Sequence, residues 1–285
     1  MPDPHPATYD AEERFPLDLP ASGAWMPGDP AGDRRFITVT DGRPFALEGG
    51  GRLDEVVLAY ESWGELAPDG SNAVLVCHAL TGDSHAAGSS GPGHPAAGWW
   101  EDLIGPGRAI DTDRFFVVCS NVLGGCQGST GPASTDPATG RPYGSNFPQV
   151  TARDMVRAQA RLADRLGIDR WVAVIGGSMG GMQVLEWGAM FPRRVGSLIP
   201  LATVAAASAL QIGYSAVERL AIVTDPKFAG GHYYDAAPGD GPWHGLAVAR
   251  QIAQITYRTS ESFDGRFGRD VHDPLREFHP WGRFE

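Results

Sequence analysis

Lysine is almost missing from this chain: Lys227 is its only one, and the other 22 of its 23 basic residues are arginine. That pattern reads as genome composition bias without functional content. Cysteine is scarce as well. Cys77, Cys119 and Cys126 are an odd number with no CxxC pair, which argues against a disulfide framework and against a zinc site. No run approaches the ~18 apolar residues of a membrane span. The opening MPDPHPATYDAEERFP has neither the basic nor the apolar region of a secretory signal. A reducing cytoplasm is therefore the expected setting. The net charge of −11, from 23 basic and 34 acidic residues, disfavours nucleic acid or an anionic membrane as main partner. It leaves room for a local basic pocket. There is no internal repeat of the solenoid kind.

What the chain does have is enough apolar residue, 42% of 285, to bury a core in one large or two small domains. Residues 1–35 are rich in Pro, Asp and Gly and read as a flexible leader. Apolar, β-branched runs follow at 36–40 and 56–61, predicted as an antiparallel opening pair. Further runs at 72–78, 115–121, 171–175 and 195–204 are continuous, as strands buried on both faces should be. Residues 151–166 place Met155, Ala158, Leu162 and Leu166 on one helical face. Thr151 with Asp154 forms a capping-box pattern, and Gly167 supplies a stop. A second helix is predicted over 179–191, ended by Pro192, and two more over 207–222 and 243–257. The strand–helix–strand alternation predicts an α/β fold with a mostly parallel central sheet. Between Leu123 and Phe147 runs a long Gly/Pro/Ser/Thr stretch, of the kind that is either functional or disordered.

Gly176-Gly177-Ser178-Met179-Gly180 fits G-x-S-x-G, with a buried strand before it and a helix after it. A sharp turn there leaves no room for side chains at the flanking positions. It lifts the serine hydroxyl to the top of the sheet, and the helix N-terminus behind favours developing negative charge. Ser178 is thus the candidate nucleophile. The turn His78-Ala79-Leu80-Thr81-Gly82 follows an earlier strand, where such folds take one oxyanion donor; Leu80 N–H and Met179 N–H are assigned as the two donors. His78 precedes the serine in chain order, at a strand end, and is set aside as base. Cys126 has no strand–turn–helix setting and reads as a loop cysteine, while Cys77 and Cys119 read as small buried hydrophobes. No metal cluster, Rossmann fingerprint or P-loop stands out.

Long blocks carry a resemblance. HALTGDSH at 78–85, GWWEDLIGPGRAIDTDRFFVVCSNVLGGCQGSTGP at 98–132, GGSMGGMQVLEW at 176–187, DPKFAGGHYYD at 225–235 and GLAVARQIAQITY at 245–257 resemble the homoserine O-acetyltransferases. These are α/β-hydrolase-fold acyltransferases of methionine biosynthesis. The resemblance implies ping-pong transfer of acetyl from acetyl-CoA, through an acyl-Ser178, to the hydroxyl of L-homoserine, with no cofactor beyond the co-substrate. It implies that Arg250 holds the homoserine carboxylate and that Thr81 and Tyr257 line the same tunnel. Arg250 has apolar neighbours in Val248, Ala249 and Ile252, which favours pocket lining over a solvated position. The resemblance further implies an α/β-hydrolase core over 36–205, a helical lid over 206–270 that excludes water and makes homodimer contacts, and a return toward the core at 271–285.

In this fold the triad Asp and His follow the seventh and eighth strands. Strand counting stops at the sixth, so the resemblance implies a chain shorter than its family by on the order of a quarter, with neither residue present. Such a chain alone should be nearly inactive and carry an unpaired sheet edge. His232, His244, His272 and His279, with Asp225, Asp235 and Asp270, are substitutes with little in their context to aim them at the serine. Homoserine O-succinyltransfer on the same fold, a serine esterase or thioesterase, and a non-catalytic scaffold are the competing readings.

Overall fold

In the computed structural model, residues 19–267 are described. They divide into two compact units: one of residues 19–207 with 230–241, the other of residues 208–229 with 242–267.

The first unit is built on a six-stranded sheet. Its strands are β1 (Arg35–Thr38), β2 (Val57–Trp63), β3 (Ala73–Cys77), β4 (Phe116–Ser120), β5 (Trp171–Gly177) and β6 (Val195–Leu201), in the spatial order β1-β2-β4-β3-β5-β6. The β1–β2 and β2–β4 pairs are antiparallel and the rest parallel. In β3 the side chains alternate between two cores. Ala73, Leu75 and Cys77 face a large cluster with Trp171 and Trp187, while Val76 faces a smaller one with Val117, Cys119 and Ile104. That two-sided burial is why β3 and β4 read as unbroken apolar runs.

Two helices cover the larger core. Helix α1 (Ala152–Leu166) starts on the expected capping box of Thr151 and Asp154 and stops at Gly167, whose φ of 74° only glycine adopts readily. Helix α2 (Met179–Met190) follows β5. The two are joined by a buried polar chain: Gln159 Nε2 donates to Gln183 Oε1 at 2.7 Å, and Trp187 Nε1 donates to Gln159 Oε1 at 2.9 Å. Every member is paired, so the chain fixes register without an orphaned group.

Asp154 does more than cap. Its buried carboxylate accepts the Glu48 and Thr151 amides at 3.0 Å each and pairs with Arg157. Burial pushes its pKa up, but the Thr151 amide, Arg157 and the Glu48 amide outweigh that and hold it below the ordinary value of 3.8. A depressed folded pKa gives stability that is present above 3.8 and is lost as pH falls through the folded value. Asp154→Asn is expected to destabilise the unit by about 1–3 kcal/mol at neutral pH and to flatten the acid side of its pH–stability curve. Urea melts of both proteins between neutral pH and pH ~3 check this; parallel acid limbs would contradict it.

Three expectations need correction, and one alternative left open is decided. The flexible leader does not extend over 19–34: Ala21, Ala24 and Arg34 are buried, and the Trp25 N–H donates to the Cys126 carbonyl at 2.9 Å. The run at 195–204 is not buried on both faces. As β6 it ends the described sheet, paired only with β5, and leaves Leu198, Ile199 and Leu201 exposed. The Gly-rich stretch after Leu123 is ordered, pinned by Thr130 N–H on the Val57 carbonyl and by Ser129 Oγ on the Asn121 carbonyl. Finally, the lid region is interrupted. Residues 230–241 belong to the sheet unit, through Arg141–Asp235, Ser145–His232 and the Gly239 N–H on the Leu19 carbonyl.

In the second unit, α3 (Ala209–Val223) and α4 (Trp243–Thr256) pack together, followed by α5 (Ser260–Phe267). Gly245 allows their close approach, since a Cβ there would lie 2.4 Å from the Ala221 carbonyl oxygen. Asp225 caps the junction by accepting the Gly245 N–H. Much of α3 is apolar and exposed, including Leu210, Ile212, Val217 and Leu220.

Candidate active site

Two side-chain-bearing residues described in the sheet unit have positive φ, Ser178 and Ala202, and Ser178 is the elbow serine. Its φ of 53° and ψ of −118° lie where a side-chain-bearing residue is rarely found. The turn is held from both sides: the Ser178 N–H donates to the Leu201 carbonyl at 3.0 Å, and Thr203 Oγ1 donates to the Ser178 carbonyl at 2.8 Å. The glycines are not equivalent. A Cβ at Gly180 would sit 2.1 Å from the Cys77 carbonyl oxygen, and one at Gly176 2.7 Å from the same atom. At Gly177 the nearest atom is 3.9 Å away. The two glycines that define the motif are therefore required by space, and Gly177 is not.

Register puts the second element beside the first. Cys77 pairs with Gly176, so the turn after β3 lies next to the elbow after β5. In that turn the Gly82 N–H closes on the Ala79 carbonyl at 2.9 Å, and among the described residues Leu80 N–H makes no backbone hydrogen bond. Met179 opens α2, so its N–H has no intrahelical acceptor. Leu80 and Met179 line one cavity of about 450 Å³, whose far wall is the ordered loop through Gly124, Cys126, Ser145 and Phe147. Ser178 is exposed. Its position, two free N–H groups and a helix N-terminus together suit attack on a carbonyl and stabilisation of the resulting oxyanion.

The histidine set aside as base is structural. His78 is buried, its Nδ1 donates to the Ala79 carbonyl at 2.7 Å, and its Nε2 accepts the Val122 N–H at 3.2 Å. Burial holds its pKa below the ordinary value, against the opposing pull of the Ala79 carbonyl. The thiols are equally unsuited: burial pushes Cys77 up to about 12 and Cys119 well above the ordinary thiol value. Cys126 is exposed on the cavity loop.

Among the described residues of the sheet unit, no histidine is hydrogen-bonded to Ser178 Oγ. His232 Nε2 is 3.0 Å from Ser145 Oγ, and Asp235 is paired with Arg141. Asp225 and His244 lie in the other unit, where Asp225 accepts the Gly245 N–H. His272, His279 and Asp270 fall outside the described residues, as does the whole of the return at 271–285. Of the substrate-binding candidates, Thr81 is exposed after the oxyanion turn. Arg250 and Tyr257 belong to the other unit, and both are exposed there, so the pocket-lining position expected for Arg250 from its apolar neighbours is not observed within that unit. Tyr257 caps α4 rather than continuing it.

Sequence reasoning missed the network behind the oxyanion turn. Ser84 Oγ donates to Glu61 at 2.8 Å, the Ser84 N–H donates to Asn121 Oδ1 at 3.0 Å, and Asn121 Nδ2 donates to the Gln127 carbonyl. These residues tie the turn after β3 to the ends of β2 and β4. No local spacing connects 61, 84 and 121, so nothing short of the fold could have found them.

A strained serine on a strand–turn–helix elbow at the end of a parallel strand defines the class: the alpha/beta hydrolase fold, whose family model matches residues 72–274. Among curated proteins, the homoserine O-acetyltransferase of Thermobifida fusca (strain YX) is 59% identical over 90% of this chain and 66% of its own length. A protein named homoserine O-succinyltransferase, of Halorhodospira halophila, is 53% identical over 81% of this chain and 60% of its own. The crystal structure of homoserine O-acetyltransferase from Bacillus anthracis superposes with a TM-score of 0.76 at 30% identity, over 89% of this chain and 69% of that one. The chain belongs to the homoserine O-acetyltransferase family. It spans about two thirds of the length of the curated relatives it matches.

Proposed function

We propose that this chain carries the nucleophile and oxyanion hole of an enzyme that moves acetyl from acetyl-CoA to the hydroxyl of L-homoserine, a step of methionine biosynthesis. The observation that supports it most is the Ser178 elbow standing beside the Leu80 and Met179 N–H groups in a family whose curated members bear that name.

In this reading Ser178 Oγ attacks the thioester carbonyl, and its proton passes to a base. The tetrahedral oxyanion rests on the Leu80 and Met179 N–H groups and on the α2 dipole. Coenzyme A leaves as the thiol and the acyl-enzyme remains. The homoserine hydroxyl then attacks it, held by its carboxylate on Arg250, whose planar fork suits two-point binding. Thr81 and Tyr257 are assigned polar contacts to the same substrate. The base and its orienting carboxylate come from outside the described residues. The exposed face of α3 is assigned to a homodimer contact, and the enzyme to the cytoplasm.

The test compares this chain with a fusion that adds the last third of the Thermobifida fusca relative. The fusion is expected to release coenzyme A from acetyl-CoA only when L-homoserine is present, and the 285-residue chain at least about 1,000-fold more slowly. Faster release from succinyl-CoA would move the donor assignment to the succinyl group, which the Halorhodospira halophila relative makes the second reading. Release without homoserine would make the protein a thioesterase. Full activity in the 285-residue chain would place the base inside it.

A further inference from the structure

Away from Ser178, the first unit buries a second group of ionisable side chains that the proposed reaction does not use. Glu61, on β2, is 1% exposed, and His85 and His94, from the irregular stretch between β3 and β4, are 4% and 3%. His85 Nδ1 donates to Glu61 Oε2 at 2.8 Å, and His94 Nε2 stands 3.8 Å from Glu61 Oε1. The two rings are stacked, with centroids 3.7 Å apart and planes 10° from parallel. Asp33, just before β1, completes the group: one donor atom from each of Asp33, Glu61, His85 and His94 lies within 4.8 Å of the others.

The charges do not close within this cluster. The neighbouring Arg34 directs its terminal nitrogens to Asp83, Gln127 and the Gly93 carbonyl, and its buried Nε has no hydrogen-bond partner among the described residues. His94 Nε2 accepts the Asp33 N–H at 3.0 Å, so that nitrogen carries a lone pair and the ring is neutral. Glu61 is thus a buried carboxylate with neither arginine nor lysine on it, which is costly without a counter-charge. The other nitrogens, His85 Nε2 and His94 Nδ1, are buried and have no hydrogen-bond partner among the described residues. The backbone also wraps the rings closely. A Cβ at Gly32 would meet His94 Nε2 at 2.3 Å, and one at Gly88 would meet His85 Cε1 at 2.9 Å.

We propose that Asp33, Glu61, His85 and His94 form a divalent transition-metal site. Two carboxylates match the charge of a dication, and two imidazoles favour zinc, cobalt or nickel over calcium or magnesium. Three of the four donors are buried and the fourth, Asp33, is exposed, a setting nearer to a structural than to an open catalytic site. The ion would tie the segment before β1 and the irregular stretch after β3 to strand β2, three parts of the chain that share no regular element. Binding takes the His94 lone pair from the Asp33 N–H, displaces the His85 Nδ1 proton from Glu61 to the unpartnered Nε2 of the same ring, and spreads the two stacked rings. The observed affinity is what remains after that rearrangement. This site stands apart from the acyl-transfer reading, and its test needs no enzymatic activity.

The experiment uses the whole 285-residue chain. It is treated with chelator, then titrated with Zn²⁺ by calorimetry, with metal content counted by mass spectrometry and melting followed with and without the ion. One zinc per chain is expected, with a Kd of about 10 μM or tighter. Saturation should raise the melting temperature by roughly 5 °C. His94→Gln should weaken binding about 100-fold. Asp33→Asn, which alters an exposed carboxylate, should weaken it about tenfold and keeps the test valid if the histidine variant fails to fold. Substoichiometric uptake overturns the proposal. So does binding that both variants leave unchanged, which would put the ion elsewhere. A melting temperature indifferent to zinc would also overturn it.

Discussion

Ser178→Ala will lower acyl transfer by the fusion protein by about 10⁴-fold or more, and Ser178→Gly will do the same while making the protein more stable. Loss of a serine nucleophile removes the covalent route altogether, and in hydrolases of this logic the remaining rate comes only from binding and the oxyanion donors. The two variants separate chemistry from strain. The residue's φ of 53° and ψ of −118° cost a side-chain-bearing residue about 1–3 kcal/mol. Alanine keeps that strain. Glycine releases it, against about 0.4–1 kcal/mol of extra unfolded-state entropy. The strain term wins, so Ser178→Gly should gain roughly 1 kcal/mol over Ser178→Ala in urea unfolding. Equal stabilities would mean that the elbow is not strained.

The second large effect falls on Gly180. A methyl group there has nowhere to go: 2.1 Å to the Cys77 carbonyl oxygen, 2.8 Å to its carbon and 2.9 Å to the His78 oxygen, all of them backbone. Relief requires α2 to move off β3, which parts the elbow from the oxyanion turn. Gly180→Ala is expected to destabilise by about 3 kcal/mol or more and to remove activity even where it folds. Gly177→Ala is the matched control. Its nearest neighbour at 3.9 Å is ordinary contact, so its effect should stay within about 0.5 kcal/mol. Equal losses from the two would mean that α2 is packed less tightly on β3 than these distances imply.

Much of the catalytic half was legible because its signals are local. The elbow needs glycine at two positions on either side of one serine, and α1 announces its start in Thr151 and Asp154 and its end in Gly167. The strands β3 and β4 are buried on both faces, so their apolar runs are continuous. What escaped depends on distant partners. The run that becomes β6 reads like β3, yet whether it is buried depends on what pairs beside it, which its own residues do not say. Residues 230–241 read as part of a helical region, but Arg141 and Ser145 draw them to the sheet unit. Glu61, Ser84 and Asn121, and the Asp33–Glu61–His85–His94 group, come together only when β2, β3 and β4 are side by side. The scarcity of cysteine argued against a zinc site, and it has no bearing on one built from histidine and carboxylate.

The central claim is that Ser178 takes the acyl group. Its most direct test is peptide mass mapping of the fusion protein after brief mixing with acetyl-CoA in the absence of L-homoserine. The account predicts one acetyl group, located on Ser178, that disappears when L-homoserine is added. An acetyl group on Cys126 or Ser145 instead, or transfer to L-homoserine that survives in Ser178→Ala, would contradict it.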